Sequence, residues 1–338
     1  MSLLLRLYIL VWLICLAMIG IAAALADKLP HAMFAFADCG YNAEIYISDW
    51  LHRTTPFRLS DNPFAWDWKP AWSPDGRQIV YQSDTDNQRA IYIVDLASGS
   101  RRPLASSIEN AMSPSWSPDG RHIAFTHLVG VDTSPLFIAD ILSGTTREFA
   151  VKTSYVFAPV WSPDGQYIAF TDYESGIAEI SILDVATGET RNISNHATAE
   201  DRDAAWSPDG KFLAFTSTRD AVAQLYIADV ETGAIQNLSN NTTMRYSGFA
   251  WSPSGDHIAV TVNEREIQIL DKAGNVTRII APPQIPDTIH AISWSSDGAY
   301  LAVASDPPGA YLVNIVGGTK YIVTASGCDF LPVIWAPQ

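Results

Sequence analysis

The 338-residue sequence predicts an all-β fold: a seven-bladed β-propeller of four-stranded antiparallel blades, preceded by an apolar leader helix. Three observations predict it. Trp72, Trp116, Trp161, Trp206, Trp251, Trp294 and Trp335 recur at intervals of 44, 45, 45, 45, 43 and 41 residues, and such a period marks propellers and solenoids. Four of these tryptophans open the same pentapeptide, Trp-Ser-Pro-Asp-Gly. Between them lie short apolar stretches separated by turn residues, the pattern of small antiparallel sheets.

The unit from Ala158 to Ile193 is the clearest. Ala158-Pro159-Val160-Trp161 runs into Ser162-Pro163-Asp164-Gly165, which suits a type I turn: Ser first, Pro with its preset φ second, Gly fourth. A return strand, Tyr167 to Thr171, leads through a polar loop to a third strand, Glu179 to Leu183. A second turn from Asp184 to Gly188 precedes a short outer strand, Arg191 to Ile193. The second strands of the other units, such as Ile123-Ala124-Phe125 and Leu213-Ala214-Phe215, scarcely alternate. That suits strands covered on both faces by neighbouring blades.

Six units begin at the tryptophans from Trp72 to Trp294, and two fragments remain. Residues 33–59 read as a blade without its first strand, and Phe330 to Trp335 as a first strand without its blade. Joining them, one strand plus three, closes the ring and removes two open edges. Cys39 is expected in a loop of this composite blade and Cys328 just before its first strand, on the same side. A Cys39–Cys328 disulfide would close a loop of 289 residues, with a chain-entropy contribution of about 5 kcal/mol.

Residues 1–26 lie outside the ring, and residues 27–338 read as one domain. Arg6 precedes twenty uncharged residues, Leu7 to Ala26, ending in an Ala-x-Ala pattern. This is a signal peptide or an N-terminal membrane anchor. Either delivers the propeller outside the cytoplasm, to the periplasm or the exterior, where a disulfide persists. The formal charge of −15 argues against nucleic acid as a partner. Much of the acidity belongs to turns and strand ends, among them Asp75, Asp95, Asp119 and Asp140.

The Trp-Ser-Pro-Asp-Gly turn, followed by Ile-Ala-Phe-Thr-like and Ile-Tyr-Ile-x-Asp-like strands, resembles the WD-like propeller repeats of the TolB family. The resemblance covers residues 31–338. It implies a bacterial exported propeller used as a binding platform, with partners docking at the channel mouth; TolB couples to a peptidoglycan-associated lipoprotein and to colicins. Seven units depart from the six of that family, so the repeat class alone carries over. The same repeats resemble the propellers of prolyl-oligopeptidase-type peptidases and oligogalacturonate lyases.

No G-x-S-x-G, H-E-x-x-H, C-x-x-C, G-x-x-x-x-G-K or G-x-G-x-x-G occurs. No catalytic residue, cofactor or metal site is therefore expected, and the protein reads as a monomeric, non-catalytic scaffold. The alternative is a lyase-type carbohydrate-active enzyme with a metal on His127, His196 and His290. The loops before the innermost strands supply the candidate binding rim: Trp66, Trp68, Lys69, Tyr155, Arg202, Asp203, Arg245, Tyr246 and His290, with Met112, Phe157 and Phe330 nearby. Aromatic rings interleaved with charges suit a protein, peptide or glycan of the cell envelope, because flat rings bury much area at little entropic cost. Phe157, Phe249 and Phe330 are the rings expected to pack between blades instead.

Overall fold

The computed structural model describes residues 33–39, 43–49, 57–60, 64–85, 88–105, 108–129, 134–149, 151, 155–241, 243–281, 288–306, 309–317, 320–322 and 333–335. All fall within one compact unit, Ala32–Gln338. The leader, residues 1–26, and Cys328 and Phe330 lie outside the described residues.

Among the described residues every element is a strand. The first described strands are β1 (Met33–Cys39), β2 (Ala43–Asp49) and β3 (Phe57–Arg58). A sheet follows of β4 (Ala65–Trp72), β5 (Gln78–Thr85), β6 (Arg89–Asp95) and β7 (Arg101–Pro103). The next contains β8 (Ala111–Trp116), β9 (His122–His127), β10 (Leu136–Asp140) and β11 (Thr146–Phe149). Then come β12 (Val156–Trp161), β13 (Tyr167–Asp172), β14 (Glu179–Asp184) and β15 (Thr190–Asn192). The pattern repeats in β16 (Asp201–Trp206), β17 (Phe212–Ser217), β18 (Gln224–Asp229) and β19 (Ile235–Asn237). It repeats again in β20 (Tyr246–Trp251), β21 (His257–Val262), β22 (Glu266–Asp271) and β23 (Val276–Ile280). The last such sheet is β24 (Thr288–Trp294), β25 (Tyr300–Asp306), β26 (Gly309–Asn314) and β27 (Lys320–Ile322), and β28 (Val333–Trp335) is the last described strand.

Six antiparallel sheets are thus contiguous in sequence, each of four strands in chain order. A further four-stranded sheet is composite, in the order β28-β1-β2-β3. In it Phe34 lies opposite Trp335, Ala35 opposite Ile334 and Phe36 opposite Val333. The first strands touch in the cycle β4, β8, β12, β16, β20, β24, β28 and back to β4. The architecture is an all-β propeller of four-stranded antiparallel blades.

The recurrent turn explains its own sequence. The Gly76 N–H donates to the Ser73 carbonyl at 2.9 Å, closing the turn, and Gly76 sits at φ 68°, where a residue with Cβ is strained. The Ser73 hydroxyl donates to Asp75 Oδ1 at 2.7 Å and accepts from the Gln78 N–H at 2.9 Å. Ser162 with Asp164, Ser207 with Asp209 and Ser295 with Asp297 repeat the first bond at 2.6 Å. The tryptophan before each turn packs between sheets. In four of them the indole N–H donates to a carbonyl of the preceding sheet: Trp116 to Ala71 at 3.1 Å, Trp206 to Val160 at 3.0 Å, Trp251 to Ala205 at 3.2 Å and Trp294 to Ala250 at 3.0 Å. The second strands supply the core, with Ile123, Ala124 and Phe125 and likewise Leu213, Ala214 and Phe215 fully buried.

Cys39 is the last residue of β1, opposite Ala43, rather than a loop residue. The β1 hairpin carries the ladder two residues beyond the apolar run that ends at Ala37, through Asp38 opposite Glu44 to Cys39.

Candidate functional site

Each contiguous sheet bulges in its first strand. The ladder slips between Trp68 and Ala71, Met112 and Ser115, Phe157 and Val160, Arg202 and Ala205, Ser247 and Phe249, and Ile289 and Ala291. Three residues before the tryptophan, Lys69, Ser113, Ala158 and Asp203 sit at φ 50°, 54°, 46° and 60°. Left-handed backbone at non-glycine residues costs about 1 kcal/mol or more each. Here a bulge demands it, because the extra residue must bend the strand. Bulges aim side chains out of the pleat, and they do so at the same level in successive sheets.

At that level a polar network crosses from the β4 sheet to the β8 sheet. The Lys69 ammonium donates to Ser113 Oγ at 2.8 Å. The Ser113 N–H donates to Gln82 Oε1 at 3.0 Å, and the Gln82 amide donates to Asp84 Oδ1 at 2.7 Å. Arg89 pairs with the other Asp84 oxygen at 3.1 Å. Lys69 keeps part of its surface exposed, yet neighbouring protein around the ammonium lowers its pKa, with the charges of Asp84 and Asp203 working the other way.

Beside the network lie exposed rings. Trp66 is 45% and Phe64 is 82% exposed. Trp66 lies 5.7 Å from half-buried Trp68. Two sheets further round, Tyr155, Phe157 and Tyr173 meet edge to face, with centroids 4.2 Å apart for Tyr155 and Phe157. The Arg202 guanidinium stands 5.7 Å from the Tyr173 ring and pairs with Glu200 at 2.8 Å. Asp203 is exposed and accepts from the Thr216 hydroxyl at 3.2 Å.

The remaining candidates divide. Arg245 is exposed, 3.6 Å from Glu264, and His290 is half-buried at the bulge of β24. Tyr246 is not a rim residue. It is 3% exposed, packs with Trp251 and Val260, and donates to Gln268 Oε1 at 3.3 Å. It occupies the position five before the tryptophan, where the side chain points into the sheet interface; the bulge comes only afterwards. Burial raises its phenol pKa. Phe157 stacks with Tyr155 and Tyr173 rather than between sheets, whereas Phe249 packs against the Tyr246 cluster. Met112 is buried.

Sequence reasoning missed one feature beneath the rim. Asp67, between the two tryptophans, is fully buried, and neither carboxyl oxygen has a hydrogen-bond partner. Burial raises its pKa, against the lowering influence of Ser83, Ser60, Arg101 and Arg58. The equivalent residue in the β16 sheet, Asp201, is equally buried but meets Arg219 at 3.1 Å. No metal-binding cluster of three His, Cys, Asp or Glu residues occurs among the described residues. His127, His196 and His290 therefore do not assemble the metal site of the lyase alternative. His127 and His290 lie on different sheets and His196 in the connection between β15 and β16, and His127 packs against the Phe137 ring at 5.8 Å.

A cycle of four-stranded antiparallel sheets, the six contiguous ones each turning on Trp-Ser-Pro-Asp-Gly or a variant, defines a WD-like β-propeller. The profile of the TolB beta propeller domain matches residues 101–288. That is more than half of the chain, and the chain belongs to this family. It is 37% identical over 67 residues to the Tol-Pal system protein TolB of Coxiella burnetii, covering 20% of this chain and 14% of that protein. It is 33% identical over 92 residues to the TolB of Acinetobacter baylyi, covering 27% and 21%. The matched segments thus span about a fifth or less of these relatives. Among solved structures, TolB from Acinetobacter baumannii superposes with a TM-score of 0.61 at 19% identity, covering 91% of this chain and 67% of that one. A prolyl endopeptidase superposes with a TM-score of 0.67 at 12% identity, covering 90% and 49%. Both likenesses are of fold.

Proposed function

We propose that this protein is a non-catalytic, exported propeller that recognises a protein or peptide of the cell envelope at the rim of its first strands. Residues 27–338 act as one monomeric, seven-bladed ring, delivered by residues 1–26 to the periplasm or exterior and either released or held there by them. The relatives support this reading, being proteins of a Tol-Pal system. One observation carries it: the exposed Trp66 ring, paired with half-buried Trp68, stands beside the Lys69 network at the bulge of β4. A tryptophan ring presented at an exposed rim is the side chain in which interface hot spots are enriched.

The test is capture of a partner from an envelope fraction by the immobilised protein, against the double variant Trp66→Ala, Arg202→Ala. Both side chains are exposed, so the melting temperature should hold while capture is lost. Capture at the original level by the variant would remove the proposal. Protease treatment of the fraction separates a protein partner from a glycan, which would survive it.

A further inference from the structure

An interruption in the packing lies at the other end of the sheets, where the Trp-Ser-Pro-Asp-Gly turns are. A cavity of about 660 Å³ opens between the β8–β11 and β12–β15 sheets. Its apolar wall includes Pro118, Ile138, Phe149, Pro163 and Val185. The same place between the β20–β23 and β24–β27 sheets holds a cavity of about 350 Å³. The two are lined by equivalent residues: Pro118 by Pro253, Ile138 by Ile269, Arg147 by Arg278 and Trp161 by Trp294.

Two contacts close the smaller cavity and are missing from the larger. Arg278 donates to the carbonyls of Ile315 and Val316 on the next sheet, the latter at 3.0 Å. Arg191, at the equivalent place on β15, reaches Val230 at 2.7 Å. Arg147 is exposed and instead lies over the Phe149 ring, 4.2 Å from its centroid. The second contact is the indole bond. Trp294 donates to Ala250 at 3.0 Å, whereas the Trp161 N–H is buried without a partner. Trp161 is only 9% exposed and lines the cavity. A buried donor left unmade is costly, and a donor facing an open cavity is met by whatever fills it.

The lining acids do not compete for these donors. Asp140 pairs with Arg121 at 2.6 Å. Asp119 is spent on Ser117, on His122 at 2.8 Å and on the Arg121 N–H at 2.8 Å. Burial works against its ionisation, but these hydrogen bonds bring its pKa to about 2. Asp164 accepts from Ser162 and from the Gln166 N–H. What the cavity leaves unsatisfied is an indole donor and a guanidinium above an apolar pocket, a set that suits an anionic acceptor on an apolar body.

We infer that this cleft is a second binding site, taking an apolar carboxylate through Arg147 and the Trp161 N–H. The same chemistry is offered by a small aryl or alkyl acid and by the C-terminal residue of a peptide. The site is independent of the rim and of any partner bound there.

The test is calorimetric titration of the whole chain with 4-phenylbutyrate, with acetyl-Gly-Gly-Gly-Phe and with the C-terminal amide of that peptide. Binding of a free acid, with the amide roughly tenfold or more weaker, supports the site. Binding of phenylbutyrate alone assigns it to small acids, and binding of the peptide acid assigns it to chain termini. Arg147→Gln should weaken binding about tenfold at an unchanged melting temperature, because Gln236 already occupies this place in the β16 sheet. Trp161→Phe should weaken it severalfold, and Arg278→Gln at the sister cavity should not change it. No binding at millimolar concentration, equal affinity for acid and amide, or full affinity in Arg147→Gln would each overturn the inference.

Discussion

Asp67 and Asp201 occupy one position in two repeats and differ in what answers them. Asp201 has the Arg219 guanidinium, itself stacked 4.6 Å from Tyr226. At the place of Arg219 the β4 sheet has Thr85, and the groups around Asp67 are the Ser60 and Ser83 hydroxyls, Glu44, Arg58, Arg101 and the buried Tyr81 phenol, none of them close enough to complete a hydrogen bond to it. Burial without a partner favours the neutral acid. A raised folded pKa means that the folded state holds its proton longer than the unfolded chain. Stability is then greatest below the unfolded value of 3.8 and falls as pH rises toward the raised folded value. Asp67→Asn keeps the shape and removes the charge. It should raise stability by about 1 kcal/mol at pH 8 and little at pH 4. Melting curves of both proteins across that range check it; an equal shift at both ends would show that the charge is not the cause.

At the scale of elements, the tryptophans act as staples between sheets, and the structure supplies its own control. Trp206→Phe removes an indole bond to Val160 made at 3.0 Å. Trp161→Phe removes the same ring atoms but no protein hydrogen bond. The two variants should differ by about 1 kcal/mol, with Trp206→Phe the less stable. Chemical denaturation measures the difference, and equal losses would mean that the staple works through its ring alone. The repeat motif announced these residues from the sequence. It did not announce that one staple is undone, because that depends on the separation of two sheets and on where Arg147 lies. The same limit applies to the rim. Lys69 and Asp203 could be named as channel-mouth charges, but the bulge that presents them is a register shift set by sheet pairing. Tyr246 reads as a rim aromatic by position, yet one strand level separates it from the exposed residues.

For the whole molecule the seam decides integrity. The composite sheet depends on three register pairs between β28 and β1. Ending the chain at residue 330 deletes β28, exposes the β1 edge and parts the cycle of first strands. The melting temperature should fall on the order of 10 °C, from several kcal/mol lost at roughly 2 °C each. Light scattering should show association through the bared edge. An unchanged melt and a monomeric profile would show that the ring does not need its last strand.

The repeat period, the four-strand unit, the turn chemistry and the joining of the two chain ends were written in the sequence, because each rests on local residue preferences or on a count. The buried, unanswered Asp67, the inward turn of Tyr246 and the unlatched cleft under Trp161 were decided only by the tertiary structure. Whether a polar atom meets a partner depends on distances of an ångström or two between sheets far apart in the chain. A linear pattern of residue types carries no such distances.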